Sequence, residues 1–150
     1  LEFRRVLFRS RALCRLRIDM FKNSTILVTG GAGFMGVNLI KRLLDLGANV
    51  RATLFKKDAI IKDGRIEYLY GDLRLAEFCQ EVVDGVDYVF MCAANTSGAK
   101  VMATTPLVHL TPNILMNMQM LEAAYTNGVK KFLFVFLDEN HQQPYFFLEE

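Results

Sequence analysis

The sequence predicts an α/β fold: a doubly wound parallel sheet in three layers, with the pattern breaking off after about the fifth strand. Three observations predict it. Short apolar runs alternate with amphipathic helical stretches between residues 24 and 137. The run from Val86 to Ala93 is apolar almost throughout, as a strand covered on both faces should be. Thr29-Gly30-Gly31-Ala32-Gly33-Phe34-Met35-Gly36 stands where the first strand gives way to the first helix.

The elements follow in order. Ser24 to Gly30 reads as the first strand. Glycines at the spacing of Gly30, Gly33 and Gly36 let backbone approach a diphosphate, because a Cβ there would collide with it. The helix from Phe34 to Leu46 aims its free N–H groups and positive dipole end at the same anion, and Gly47 stops it. Asn49 to Phe55 is the second strand, with Val50, Ala52 and Leu54 on one side. Lys56 to Arg65 is a loop, and Ile66 to Tyr70 a short third strand running into Gly71-Asp72. A helix from Leu73 to Val83, a strand from Val86 to Ala93 and a Ser/Thr/Gly-rich loop from Asn95 to Thr105 come next. Pro112 to Asn127 is a long helix and Lys131 to Leu137 a fifth strand. Right-handed crossovers put the first strand near the centre and a ligand at the carboxyl ends, where the winding reverses.

The 150 residues suffice for one domain, and the formal net charge is +2. Six arginines crowd the first nineteen residues against Glu2 and Asp19; without that segment the remainder carries −2. A body so nearly neutral gives no reason to invoke nucleic acid. Cys14, Cys79 and Cys92 show no C-x-x-C spacing and are expected to be reduced thiols, Cys79 buried on a helix and Cys92 on a strand, which favours a cytoplasmic protein. With only His109 and His141, a zinc site is not expected. No apolar run approaches the roughly 20 residues a membrane helix needs.

The terminal segments stand apart. Residues 1–19 resemble translated adapter or vector sequence, a non-native basic leader; an organellar presequence and a basic arm for an anionic surface are the rival readings. The leader is expected to lack stable tertiary contacts. Residues 20–137 are expected to form the domain, with Met20 as its natural start, and residues 138–150 an aberrant tail whose Tyr145-Phe146-Phe147-Leu148 is an apolar liability.

Five motifs in order carry a resemblance. The glycine turn fits T-G-x-x-G-x-x-G, Gly71-Asp72-Leu73 fits G-D-[LI], and Cys92-Ala93-Ala94 fits H-x-A-A with Cys in place of His. Asn113-Ile114-Leu115-Met116-Asn117 with Leu121-Glu122-Ala123-Ala124 fits a long helix, and Gly128 to Val135 a turn and strand. Over about residues 20–135 the chain resembles the extended short-chain dehydrogenase/reductases, the NAD-dependent epimerase/dehydratase family. Asn95 to Gly98 and Thr111-Pro112-Asn113 are most similar to GDP-sugar members of the GDP-fucose synthase kind.

The resemblance implies a Rossmann-type domain and a role for each matching residue. Gly30, Gly33 and Gly36 would shape the diphosphate loop, with Phe34 and Met35 supplying backbone N–H groups. Asp72 would accept a hydrogen bond from the adenine amino group with Leu73 beside the ring; the alternative for Asp72 is a helix N-cap. Ala93 and Ala94 would let ribose and nicotinamide lie against the sheet. Asn113 would either cap its helix or reach the active site. The partner would be a nucleotide-sugar, and a homodimer through the long helix is expected.

Two departures bear on function. The acidic residue that grips the ribose 2′-hydroxyl of NAD is absent: Leu54 stands there, among Arg51, Lys56 and Lys57. Cations suit a 2′-phosphate, so NADP is favoured over NAD, with a merely solvated Lys56-Lys57 loop as the alternative. The family's catalytic Tyr-x-x-x-Lys is also missing, since no tyrosine has Lys four residues on. Strand five reads Val135-Phe136-Leu137 where serines are expected. Frameshift or read-through is the expected cause, true divergence the rival. The chain is therefore read as the cofactor domain of a sugar-nucleotide epimerase, dehydratase or reductase, inactive as written. The alternative is a non-catalytic nucleotide-binding sensor or scaffold.

Overall fold

The computed structural model describes residues 20–96, 101, 104–105 and 107–134. The expectations for the leader, for residues 135–150 and for most of the 97–106 loop lie outside them. Five strands and three helices carry the fold: β1 (Thr25–Val28), α1 (Phe34–Asp45), β2 (Asn49–Leu54), β3 (Ile66–Tyr70), α2 (Ala76–Val83), β4 (Tyr88–Met91), α3 (Leu107–Thr126) and β5 (Lys131–Phe134).

The five strands form one sheet in the order β3-β2-β1-β4-β5, all pairs parallel. The central strand is β1, with Leu27 opposite Arg51 of β2 and Val28 opposite Phe90 of β4. Alternate residues of β1 serve opposite layers, as a period of two demands. Ile26 and Val28 join Ile40, Leu43 and Leu44 of α1 in one buried cluster. Leu27 joins Cys79, Val82 and Val83 of α2 and Met120, Ala123 and Ala124 of α3 in the other. Both clusters are closed to water, so the sheet is a wall between two cores, and the three-layer expectation holds.

Besides shifts of one or two residues at the ends of β1 and β2 and the start of β4, three boundaries near the cleft differ from the sequence reading, each for a local reason. The second helix starts at Ala76, not Leu73. The Asp72 carboxylate accepts the Arg74 N–H at 3.0 Å and its carbonyl the Leu75 N–H at 3.0 Å, which commits this segment to a turn. The fourth strand stops at Met91, because the fully buried Thr29 hydroxyl takes the N–H groups of Cys92 and Ala93 at 3.0 and 2.9 Å. Cys92 therefore lies just beyond the strand, half-buried.

The long helix begins at Leu107 and runs through Pro112. A proline there has no N–H for the carbonyl four residues back, that of Val108. Asn95 supplies the missing donor: its side-chain amide reaches the Val108 carbonyl at 3.1 Å. The helix can therefore include a residue that usually ends one.

Candidate nucleotide-binding site

The switch in winding falls between β1 and β4, and the glycine turn leaves β1 there. Gly30 sits at φ 68°, the left-handed region, and a Cβ on it would lie 3.0 Å from the Cα of Ala93. Its N–H reaches the Thr53 hydroxyl at 3.2 Å, and the next N–H, of Gly31, the Thr53 carbonyl at 2.9 Å. A Cβ on Gly36 would run into the Gly30 carbonyl, so the helix can start this close to the strand only with glycine there. Phe34 opens α1, and the first-turn N–H groups of an α-helix have no acceptor within it. Phe34 and Met35 are both exposed.

A cleft of about 500 Å³ opens at these carboxyl ends. Its lining includes Gly30 and Gly33 of the turn, Leu54 at the end of β2 and Lys56 past it, Asp72 and Leu73 beyond β3, and Ala93 and Ala94 beyond β4. Pro112 and Met116 of α3 close it on the far side. Residues from five separate parts of the chain thus converge on one cavity of the size ligand sites usually have. A main-chain turn that tolerates no Cβ, a helix N-terminus and a flat floor of small residues together fit an elongated diphosphate-bearing group.

Phe34, Met35 and Gly36 belong to the turn and the start of α1 but do not line the cleft, and Arg51 and Asn113 serve other contacts. Arg51 points away from the cleft: its Nε bonds Glu67 at 2.7 Å and its terminal nitrogen the carbonyls of Val82 and Asp84 at 3.1 and 2.7 Å. It fastens β2 to β3 and to the end of α2. Mid-strand position explains this, since only residues at or past the strand ends reach the ligand edge. Asn113 is not a cap, because the helix starts six residues earlier. Its carboxamide clamps the main chain of Asn95, accepting its N–H at 2.7 Å and donating to its carbonyl at 3.1 Å. His109, buried, sets its Nδ1 3.3 Å from that same carbonyl.

Sequence reasoning missed Thr29, Arg74 and His109. Thr29 could have been noticed as a threonine inside an apolar strand. Arg74 lines the cleft, and its Nε bonds both carboxylate oxygens of Asp72 at 2.9 Å. The Arg74 hydrogen bonds hold the Asp72 carboxyl below the ordinary carboxylate range against the opposing effect of burial, with the Lys56 charge acting in the same direction. Burial pushes the Cys92 thiol, at the cleft floor, up to about 11, so it is a neutral thiol at physiological pH. None of the described tyrosines lines the cleft. Among the described residues no helix is long and apolar enough to cross a membrane, and no three His, Cys, Asp or Glu side chains gather as a metal site.

The strand order and the glycine turn at its switch point define a Rossmann-type architecture. The chain belongs to the NAD dependent epimerase/dehydratase family, whose sequence model matches residues 26–136. It is 34% identical over 111 residues to GDP-mannose 3,5-epimerase 1 of Oryza sativa subsp. japonica, covering 73% of this chain and 29% of that protein. It is 35% identical over 112 residues to a 3 beta-hydroxysteroid dehydrogenase/Delta 5→4-isomerase of Mycobacterium tuberculosis, covering 73% and 30%. Among solved structures it resembles a dTDP-glucose 4,6-dehydratase of Streptomyces venezuelae with NAD bound, at a TM-score of 0.62 and 27% identity, covering 72% of this chain and 38% of that one. The chain thus spans under a third of the length of these curated relatives.

Proposed function

We propose that these residues form the dinucleotide-binding part of a sugar-nucleotide epimerase, dehydratase or reductase. The observation that carries the reading is the glycine turn at the mouth of the cleft, where Gly30 and Gly36 stand at positions closed to any Cβ. In this reading Gly30, Gly33 and Gly36 shape the diphosphate loop. The N–H groups of Phe34 and Met35 bind the diphosphate, Asp72 and Leu73 hold adenine, and Ala93 and Ala94 floor the ribose and nicotinamide. Bound nicotinamide would supply hydride chemistry at a sugar carbon.

NADP is favoured over NAD. Lys56 and Lys57 line the end of the cleft beyond β2, and no acidic residue stands there to hold a ribose 2′-hydroxyl. The sugar-nucleotide class rests on the epimerase and dehydratase relatives. The steroid-dehydrogenase relative makes a sterol the competing substrate for the whole protein.

The test is a titration of the full 150-residue chain with NADPH and NADH, followed by cofactor fluorescence. Saturable binding that ADP competes away is expected, and a chain that binds neither cofactor overturns the reading. These 150 residues hold no Tyr-x-x-x-Lys, so binding without turnover of a GDP- or UDP-sugar is expected. The sensor or scaffold reading draws on that same gap, and a Tyr-x-x-x-Lys in the adjoining genomic sequence would remove it.

A homodimer through α3 is part of this proposal. Leu107, Leu110, Ile114, Met118 and Tyr125 are all exposed and recur at steps of three and four, or their sum, on one stripe of the helix. A second copy of the chain is the proposed occupant, two such stripes pairing about a two-fold axis. Sedimentation should show a dimer that Met118→Asp dissociates; a monomer at every concentration removes this part of the reading.

A further inference from the structure

The charged residues of the cleft carry an inference that deepens the nucleotide reading and rests on it. Among the described lining residues, Lys56, Lys57 and Arg74 stand with one carboxylate, Asp72, a net +2. A ribose 2′-phosphate brings about two negative charges at neutral pH. Lys56 and Lys57 balance that charge by themselves while Arg74 and Asp72 cancel each other, and Arg74 is the one guanidinium in the described lining, the group whose planar fork fits a phosphate through two hydrogen bonds. Asp72 is the residue that the nucleotide reading needs for the adenine amino group. One ion pair thus holds together a phosphate donor and an adenine acceptor.

We propose that Arg74 discriminates between the cofactors by exchanging partners: a 2′-phosphate draws its guanidinium off Asp72, which releases the carboxylate to the adenine amino group. A nucleotide without the phosphate offers Arg74 nothing and has to compete with it for Asp72. Selectivity then arises from both directions, a gained phosphate contact on one side and a blocked carboxylate on the other. The exchange is feasible in energy because the Arg74 end of the pair is exposed: its side chain keeps 47% of its accessible surface, against 19% for Asp72. Exposed ion pairs are worth little in water, whereas a planar guanidinium binds phosphate through two parallel hydrogen bonds.

The test uses the full chain and two small probes, adenosine 2′,5′-bisphosphate and 5′-AMP, which isolate the adenosine half of the cofactor. Wild type should prefer the bisphosphate. Arg74→Gln should weaken the bisphosphate at least tenfold and leave 5′-AMP unchanged or tighter, because Asp72 is freed. Arg74→Lys should keep part of the preference. Arg51→Gln, outside the cleft, should leave the ratio untouched. The Arg74 Nε–H resonance should move on adding the bisphosphate and not on adding 5′-AMP, a readout independent of any effect of substitution on folding. If Arg74→Gln weakens both probes equally, or neither, the exchange is wrong. Equal wild-type affinity for the two probes also overturns it while the dinucleotide reading stands. Absence of binding by both probes and by NADPH and NADH removes that reading as well.

Discussion

The side-chain amide of Asn95 donates to the carbonyl of Val108, the acceptor that Pro112 leaves without a partner inside α3. Asn95→Ala should cost about 1 kcal/mol, the ordinary worth of such a bond. In a Pro112→Ala background, the restored N–H competes for the same carbonyl, so the cost should shrink. A double-mutant cycle by urea unfolding measures the coupling. Equal costs in the two backgrounds would mean that Asn95 and Pro112 act independently.

Thr29→Val should destabilise the fold by about 1–3 kcal/mol, since two part-buried N–H groups lose the acceptor they share. Thr29→Ser keeps the hydroxyl and should lose only about 1 kcal/mol for the missing methyl. Denaturant midpoints at constant slope separate the two. If the valine and serine variants unfold together, the hydroxyl is not what ends β4.

Much of this architecture was legible beforehand, and the exceptions are informative. Periodicity located β1, β2, β3 and α1 because their apolar spacing is local: α1 turns one face to the sheet, and β1 is apolar on both of its faces. It failed at Leu73, Ala93 and Pro112, where side chains bond to main chain across the fold: Asp72 to Arg74, Thr29 to Ala93, Asn95 to Val108. Such bonds depend on distance in space, which apolar patterning does not encode. Glycine spacing was readable because steric exclusion acts within a few residues. Arg51 was misjudged for the opposite reason. Its charge was visible in sequence, but its direction was fixed by Glu67 and by the end of α2.

Gly36→Ala should weaken NADPH binding more than tenfold, because the new methyl overlaps the Gly30 carbonyl and displaces the turn. Gly64→Ala is the matched control: a Cβ there meets nothing within 4 Å. Cofactor fluorescence titration checks both, and undiminished binding by the Gly36 variant would contradict the close approach of turn and helix.

Asp87 gives a pH signature at the opposite end of the sheet. Its carboxylate bonds Lys130 Nζ at 2.7 Å and accepts the Thr25 N–H at 2.9 Å. The Lys130 bond first, then that of Thr25, holds its carboxyl below the usual range. A depressed folded value means that the stabilisation is present above the unfolded carboxyl pKa of about 3.9 and is lost as pH falls through the folded value. Asp87→Asn should therefore be less stable than wild type at pH 7, and the gap should close as the solution is acidified through the depressed folded value. Unfolding free energies across that range decide the matter; a gap independent of pH would show that the ion pair contributes nothing.

The clamp of Asn113 and His109 on Asn95 has a mechanical consequence. The segment leaving the fourth strand is tied to Thr29 at Cys92 and Ala93, and two residues on is riveted to the long helix by three side chains, so that flank of the cavity is where sheet and helix are joined. A tilt of the helix by a turn's fraction would widen or narrow the gap opposite the glycines, while the adenine end, anchored to β2 and β3, stayed where it is.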